Sequence, residues 1–500
     1  MNKGPDIKTN SLFSNERIET LWLNSSNAIE GLTPFTFDVN MPNQLCGSLI
    51  FLLHSRNVLT PCGMNTMKPQ SDERWLVLSY YANVNGRAAS YHIDDRLDYF
   101  HKANINATLL SSILGPRHSR IKHIRIFSIG PRALLEELKF CIKRNTDKPN
   151  PLAFLKILLA SIAVLPAILL APLESLCNKD KRWSWQFSAF ARGMVWALYN
   201  RPDRILTTGG SASAHVAGLW ISKILLIPLA CEFQDPLVYQ YPESKPELHF
   251  YHKKLEVTLE QYATHLIYLT DGATDAAKAR LQSTKPAVNL SGGNTMTVKK
   301  TAESASTSDS PAPYKPGVTN EPVIRVAHLG TLSDIRNLEH LFKGIEALAI
   351  RNPTLANNIT LNLAGSCDKQ VVHSIETFTL SNNVNRFGKI SREEAHSILE
   401  KADIALLIQG YGPISRETIP SKTFEYLQSG KPILALVDDN NQLATMLKEH
   451  NHSVIRYTDS IESVADTIES LLSKPLPEPL PSNLTVEASV HKLVSLIFNR

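Results

Sequence analysis

Residues 417–437 read Glu-Thr-Ile-Pro-Ser-Lys-Thr-Phe-Glu-Tyr-Leu-Gln-Ser-Gly-Lys-Pro-Ile-Leu-Ala-Leu-Val. The pattern predicts a loop, a short helix and a buried strand. Pro420 or Ser421 suits a first helical turn, and Gly430 suits the position just past a helix end with Lys431 and Pro432 beyond it, so the helix should span about 420–428. Residues 433–437 are then a continuous apolar strand. Such a helix turns free N–H groups and its positive dipole end outward near Ser421 and Lys422, which makes a seat for a diphosphate. Glu417 stands before the helix and Glu425 eight positions later within it. One carboxylate can therefore hold sugar hydroxyls on one side of the diphosphate, and the other a ribose on the opposite side. A nucleotide sugar has that shape.

At these residues the sequence resembles the donor-site signature of the retaining glycosyltransferases of family 4, the group 1 type. The resemblance rests on two glutamates with seven residues between them, a helix closed by Gly430 and Lys431-Pro432, and the apolar strand. The Ile-Pro-Ser-Lys wording replaces the commoner Gly-rich version, which leaves the donor sugar open. The resemblance implies an α/β protein of the GT-B fold: two Rossmann-like domains whose parallel sheets face each other across a cleft. It implies a nucleoside diphosphate sugar as co-substrate, with no cofactor and no metal.

Working outward, 324–329 is an apolar strand that ends at Gly330 and leads through Arg336 into a helix at 338–350. Strands at 359–364, 384–388 and 404–408 and a helix at 391–401 continue an alternation that signals a parallel sheet with crossover helices. An amphipathic helix at 486–498 follows a Pro-rich passage. The resemblance places Gly330 and Arg336 at the diphosphate, where a guanidinium would stabilise the leaving nucleotide. It places the loop at Gly388 near the nucleobase, and it implies that the last helix crosses back to the first domain.

The same alternation begins at 75–80 (Trp-Leu-Val-Leu-Ser-Tyr), with strands following at 107–110, 124–129, 204–207, 224–231 and 265–269. Ligands of such sheets bind beyond the carboxyl ends of the strands, and Gly86 in the first loop would let backbone approach one closely. The resemblance gives Asn83 and Gly86 a place facing the cleft, lines it with Gly209 and Gly210, and puts Asp235 where a polar ligand is usual. His215 is a weaker candidate for the same wall. Thr270 or Asp271 should cap the next helix, which needs no ligand to explain it.

One stretch of the first half breaks the pattern. Residues 157–173 carry no charge, hold Pro166 and Pro172, and fall at or just below the roughly 20 residues a spanning helix requires. Lys143, Arg144, Lys148 and Lys156 precede them; Lys179, Lys181, Arg182, Trp183 and Trp185 follow. Cations on both flanks misfit a single crossing and fit a segment dipping into one leaflet, although a buried core helix reads the same way.

The chain therefore divides into an unassigned extension at 1–72, a Rossmann-like acceptor domain at 73–290 with the apolar segment at 152–176, a Ser/Thr/Pro-rich linker at 291–321, a nucleotide-sugar-binding domain at 322–482 and a closing helix at 483–500. Apolar residues at 43% and charged residues at 20% are ordinary globular composition, and a net charge of +5 suits an anionic donor or an anionic membrane surface as well as nucleic acid, singling out no partner. Six scattered cysteines suit a reducing cytoplasm, and the first residues lack the apolar core of a secretory signal. The absence of Asp-x-Asp disfavours metal-dependent transferases of the other common fold. Without a Gly-x-x-x-x-Gly-Lys-Ser/Thr loop, or a Gly-x-Gly-x-x-Gly after a strand, neither a P-loop enzyme nor a dinucleotide oxidoreductase is supported.

The expectation is sugar transfer to a hydroxyl of a glycan or lipid-linked acceptor with retention, in surface polysaccharide or glycolipid synthesis. The enzyme would be cytoplasmic and peripheral or monotopic at the inner membrane face, without a nucleic-acid partner. The alternatives are an epimerase or hydrolase of the same fold, or a non-catalytic subunit.

Overall fold

The structure is a computed structural model describing residues 73–144, 182–239, 246–293, 323–471, 477 and 482–498. The readings of 1–72, of the apolar segment 152–176 and of nearly all the linker at 291–321 lie outside the described residues.

Two parallel sheets carry the architecture. In the first, β1 (Glu73–Leu78), β2 (Ile105–Ser111), β3 (Lys122–Arg125), β4 (Arg204–Gly209), β5 (Leu229–Phe233), β6 (His265–Tyr268) and β7 (Pro286–Val288) lie in the order β3-β2-β1-β4-β5-β6-β7. In the second, β8 (Ile324–Leu329), β9 (Ile359–Ala364), β10 (Val384–Gly388), β11 (Ile404–Ile408), β12 (Ile433–Leu436) and β13 (Ser453–Ile455) lie in the order β10-β9-β8-β11-β12-β13. Both orders reverse direction at one point, between β1 and β4 and between β8 and β11. A doubly wound sheet binds ligands in the crevice beyond such a point. The loops leaving β1, β4, β8 and β11 carry Asn83, Gly210, Gly330 and Glu417, so the topology delivers the expected site residues to one region of each sheet.

The continuous apolar strands are buried because helices cover both faces of each sheet. One face of the second sheet packs Val326, Leu361 and Leu406 against Leu341, Ile345 and Val464; the other packs Leu329 and Leu407 against Phe424, Tyr426 and Leu443. The helix Val486–Phe498 leaves this sheet and lays Val486, Val490, Leu493 and Ile497 on the first one, against Trp75, Phe100 and Leu109.

Two strand expectations need correction. The apolar run 224–231 is not one strand: the helix Ala212–Leu225 takes its start, Leu226 reverses the chain at φ +55°, and β5 begins only at Leu229. A short apolar run satisfies a buried helix end as well as a strand, so periodicity could not separate them. The run at 124–129 pairs only to Arg125, beyond which Phe127 and Ile129 are exposed. The edge strands β7 and β13, three residues each, are too short to carry a period.

Leu493 is fully buried between the last helix and the first sheet. Leu493→Ala should cost about 2–5 kcal/mol through lost burial and the cavity left behind. Chemical denaturation followed by Trp fluorescence would read it; a midpoint unchanged from wild type would mean the helix contributes little where it docks.

Candidate functional site

The segment 409–421 is held by side chains before any ligand arrives. Gln409 Nε2 donates to the carbonyls of Ser415 and Thr418 at 2.9 and 2.8 Å, and Asn440 Nδ2 donates to the same two oxygens at 2.7 and 2.9 Å. Gly412 takes φ +105°, and its N–H donates to Asp438 at 2.8 Å. The 3-10 turn Pro413–Glu417 is thus clamped from two sides, and Glu417 ends it at 4% exposure.

Glu417 lies in a pocket between the sheets, lined also by Gln234, Asp235, Thr270, Ser291 and Phe424. The first domain closes on it closely. Thr270 caps the helix Asp271–Leu281 by accepting from Ala273 N, and its hydroxyl donates to Glu417 O at 2.7 Å. Asp271 and Gln442 exchange two hydrogen bonds, at 2.9 and 2.6 Å. Gly272 is required here, since a Cβ would fall 2.1 Å from the Arg416 carbonyl oxygen. Arg280, gripped by both oxygens of buried Glu256 at 3.1 and 2.8 Å, reaches within 3.9 Å of the Glu417 carboxylate.

The helix expected over 420–428 spans Lys422–Gln428, with Ser421 at its cap position, no side chain capping its start, and Gly430 at φ +66° beyond its end. Tyr426 fixes it to the second sheet, its buried hydroxyl accepting from Leu329 N at 2.7 Å. Glu425 is paired already: Lys422 Nζ lies at 2.6 Å, Arg392 at 3.2 Å and His396 at 3.6 Å. Burial alone would raise its carboxyl, but His396, Lys422 and Arg392 outweigh it and hold it at about 2. Arg392 also spans the cleft, bonding both oxygens of Asp95 at 3.3 Å and stacking on Tyr91 at 4.5 Å from the ring centre.

Asp235 and Arg336 come from opposite sheets and face the same cleft. Asp235 keeps solvent access, yet the surrounding protein raises its carboxyl by burial while the Arg336 guanidinium and His92 oppose the rise. Gly210 lies beside it, where a Cβ would be 3.3 Å from Asp235 Oδ2. Gly330, Gly365 and Gly388 stand together at the ends of β8, β9 and β10: Gly365 N donates to Gly388 O at 2.8 Å, and a Cβ on Gly365 would overlap the Gly330 carbonyl at 1.9 Å. Asn83 turns at φ +54° with its N–H on both Asp94 oxygens, and exposed Gly86 turns at φ +73° with its N–H on Tyr91 Oη. Gly209 turns at φ +126° at the end of β4.

His215 is the site expectation that fails. It is fully buried, with Nδ1 at 2.8 Å from Thr207 Oγ1 and its ring against Phe233, so it packs the sheet and does not line the cleft. Conversely, Arg392, Asp95, Tyr91, His396 and Arg280 were not foreseen. Arg392 lies just past the loop at Gly388 named from the sequence, but its carboxylate partners are 297 and 33 positions away.

Residues 316–488, which contain Gly330, Arg336, Arg392, Glu417 and Glu425, match the family model described as glycosyl transferases group 1. The chain is a glycosyltransferase with a group 1 domain. Its fold is GT-B, as the solved structures similar to it agree. Sucrose-phosphate synthase from Thermosynechococcus elongatus is 14% identical with a TM-score of 0.54, the match covering 85% of this chain and 98% of that one. A TarM variant from S. aureus, solved with fondaparinux, alpha-GlcNAc-glycerol and UDP, is 10% identical with a TM-score of 0.51, over 85% of this chain and 100% of that one. No curated protein matches the glycosyltransferase in sequence. Among its described residues no helix is long and apolar enough to cross a membrane.

The Arg392 bridge should hold the two sheets together without ligand. Asp95→Asn keeps the shape and removes the charge, and it should broaden the distance distribution between spin labels on the two domains. The stabilisation that Glu425 draws from its cations is complete above its ordinary 4.5 and is lost only as pH falls through about 2, whereas burial raises the carboxyl of Asp95 against the pull of Arg392, so on acidification the bridge should open at Asp95 before Glu425 protonates. Identical distributions for both proteins would separate this ion pair from closure.

Proposed function

We propose that the enzyme transfers a sugar with retention from a nucleoside diphosphate sugar to a hydroxyl of a glycan or lipid-linked acceptor. The observation that carries the reading is the placement of Glu417: buried, pinned by four side-chain hydrogen bonds to its turn, and opening into the pocket shared with Asp235 of the opposite sheet. In this reading the donor diphosphate lies between the Gly330 turn and the start of the helix Lys422–Gln428. Arg336 and Lys422 would stabilise the negative charge that grows on the departing phosphate. Glu417 would orient the sugar hydroxyls as the ring flattens toward an oxocarbenium ion. Glu425 would take the ribose hydroxyls, remaining ionised because Arg392 and His396 still support it once Lys422 turns to the phosphate. Asp235, on the acceptor side, would receive or orient the incoming hydroxyl.

Glu417→Gln removes the charge and little volume. Transfer from the best of a panel of nucleoside diphosphate sugars should fall by about 100-fold or more, an effect of about 2.7 kcal/mol or more on the transition state, with melting temperature and free nucleotide affinity close to wild type. Turnover near wild type would remove Glu417 from the site.

The lipid-linked acceptor and work at the bilayer surface rest on the sequence of 152–176, whose apolar run and basic, Trp-bearing flanks suit insertion into one leaflet. Replacing Leu158, Leu165 and Leu169 together by Ser should move the protein from the membrane to the supernatant while it still melts cooperatively. A folded triple variant that pellets with vesicles would end this part of the reading.

A further inference from the structure

His328 sits two residues before the Gly330 turn, on β8, and is 5% exposed. Its Nδ1 is 2.9 Å from the Leu406 carbonyl. A carbonyl only accepts, so Nδ1 carries the hydrogen and the neutral ring presents a bare lone pair at Nε2. That nitrogen is buried without a hydrogen-bond partner. A buried polar atom left so costs about 1–3 kcal/mol, and it calls for an explanation.

Its surroundings point to one. A Cβ on Gly330 would lie 3.2 Å from Nε2, so the missing side chain leaves the nitrogen against the turn at the mouth of the cleft. The charged groups acting on the ring are both cations, Arg336 in the loop that follows β8 and Lys422 at the start of the helix Lys422–Gln428. The other elements packed there bring no charge: β9 pairs Leu363 opposite His328, β11 brings Leu406, the helix Arg392–Lys401 turns Ala395, Ile398 and Leu399 to this core, and Tyr426 spends its hydroxyl on Leu329 N. Burial, with Arg336 and Lys422 adding to it against the Leu406 hydrogen bond, lowers the ring to about 4, so it is neutral near pH 7.

Phosphate oxygens accept and do not donate. A diphosphate arriving between Arg336 and Lys422 offsets the two charges that add to burial in keeping the ring neutral, and its own charge favours a protonated ring beside it, where a bare lone pair could not bond it. We propose that His328 takes up a proton when the donor diphosphate binds and donates it from Nε2 to a phosphate oxygen, making it a proton-coupled third cation of the leaving-group site. This rests on the nucleotide-sugar reading above and adds to it a residue and a pH dependence. The same Nε2–H would follow the leaving phosphate as its charge grows, and the ring would lose the proton to solvent when the nucleotide departs.

The test is calorimetric titration of the full chain with UDP, GDP and ADP, carrying forward whichever binds. At pH 7, in two buffers of different ionisation enthalpy, wild type should show net proton uptake and His328→Asn none. Asn keeps the donor to Leu406 and cannot titrate. Wild-type affinity should rise as pH falls from 8 to 6, by up to about tenfold per pH unit where a full proton is taken up, while the variant stays flat apart from the nucleotide's own ionisation. His328→Gln serves as a second non-titrating variant if the Asn protein does not fold. Binding without net proton uptake by wild type, or equal uptake by wild type and either variant, overturns the role of His328 and leaves the nucleotide reading standing. Failure of all three nucleotides to bind wild type overturns both.

Discussion

Arg96 and Glu232 meet as a salt bridge with both side chains 1% exposed, and the active cleft depends on that pair. Burial would raise the Glu232 carboxyl, but Arg96 and His92 hold it well below the usual range. Glu232 Oε2 has His92 Nε2 at 3.0 Å and accepts from the Thr208 hydroxyl at 2.8 Å. Arg96 also donates to Ser489 at 2.8 Å, on the helix that returns from the second sheet, and Ser489 donates to the carbonyl of Leu290. One ionic node therefore joins the helix before β2, the ends of β4 and β5, and a segment nearly 400 positions away. Such a pair adds little net stability over an apolar substitute, but losing one partner strands a buried charge. Its effect is to fix where Gly209 and Asp235 emerge and where the last helix docks.

The cleft itself is crossed by charge at two depths. Deep in it, Arg280 of the first domain is oriented by Glu256 and faces Glu417; farther along, Arg392 of the second domain is oriented by Glu425 and binds Asp95. Each bridge gives a carboxylate of the cleft, Glu417 or Glu425, a cation to rest against. In the reading proposed above, a ligand that drew on Glu417 or Glu425 would compete with these contacts, so binding and closure would draw on the same side chains. The Gly272 contact with Arg416 sets the other limit, because backbone meets backbone there and no side chain can yield.

Specific backbone freedom then shapes the surface a diphosphate would meet. Gly365 at φ +141° tucks under the Gly330 carbonyl, and Gly412 at φ +105° lets the segment before Glu417 leave β11 sharply. Both conformations are ones that side-chain-bearing residues rarely adopt.

The sequence by itself determined the alternation of strands and helices, the segment 417–437 with its helix and closing Gly430, the Thr270 cap and the final amphipathic helix. These are local properties: apolar runs, turn chemistry and a helix end need only neighbours along the chain to be recognised. It also singled out Glu417, Glu425, Arg336 and Gly330 as candidates, since their spacing is that of one loop or one helix. Only the tertiary structure decided that Arg392 bridges to Asp95, that Arg280 faces Glu417, that His328 ends in an unpartnered nitrogen, and that His215 is sealed in the core. Each of those depends on which strands become neighbours and how far the two sheets close. No spacing along a chain records a contact between residues hundreds of positions apart, because packing alone brings them together.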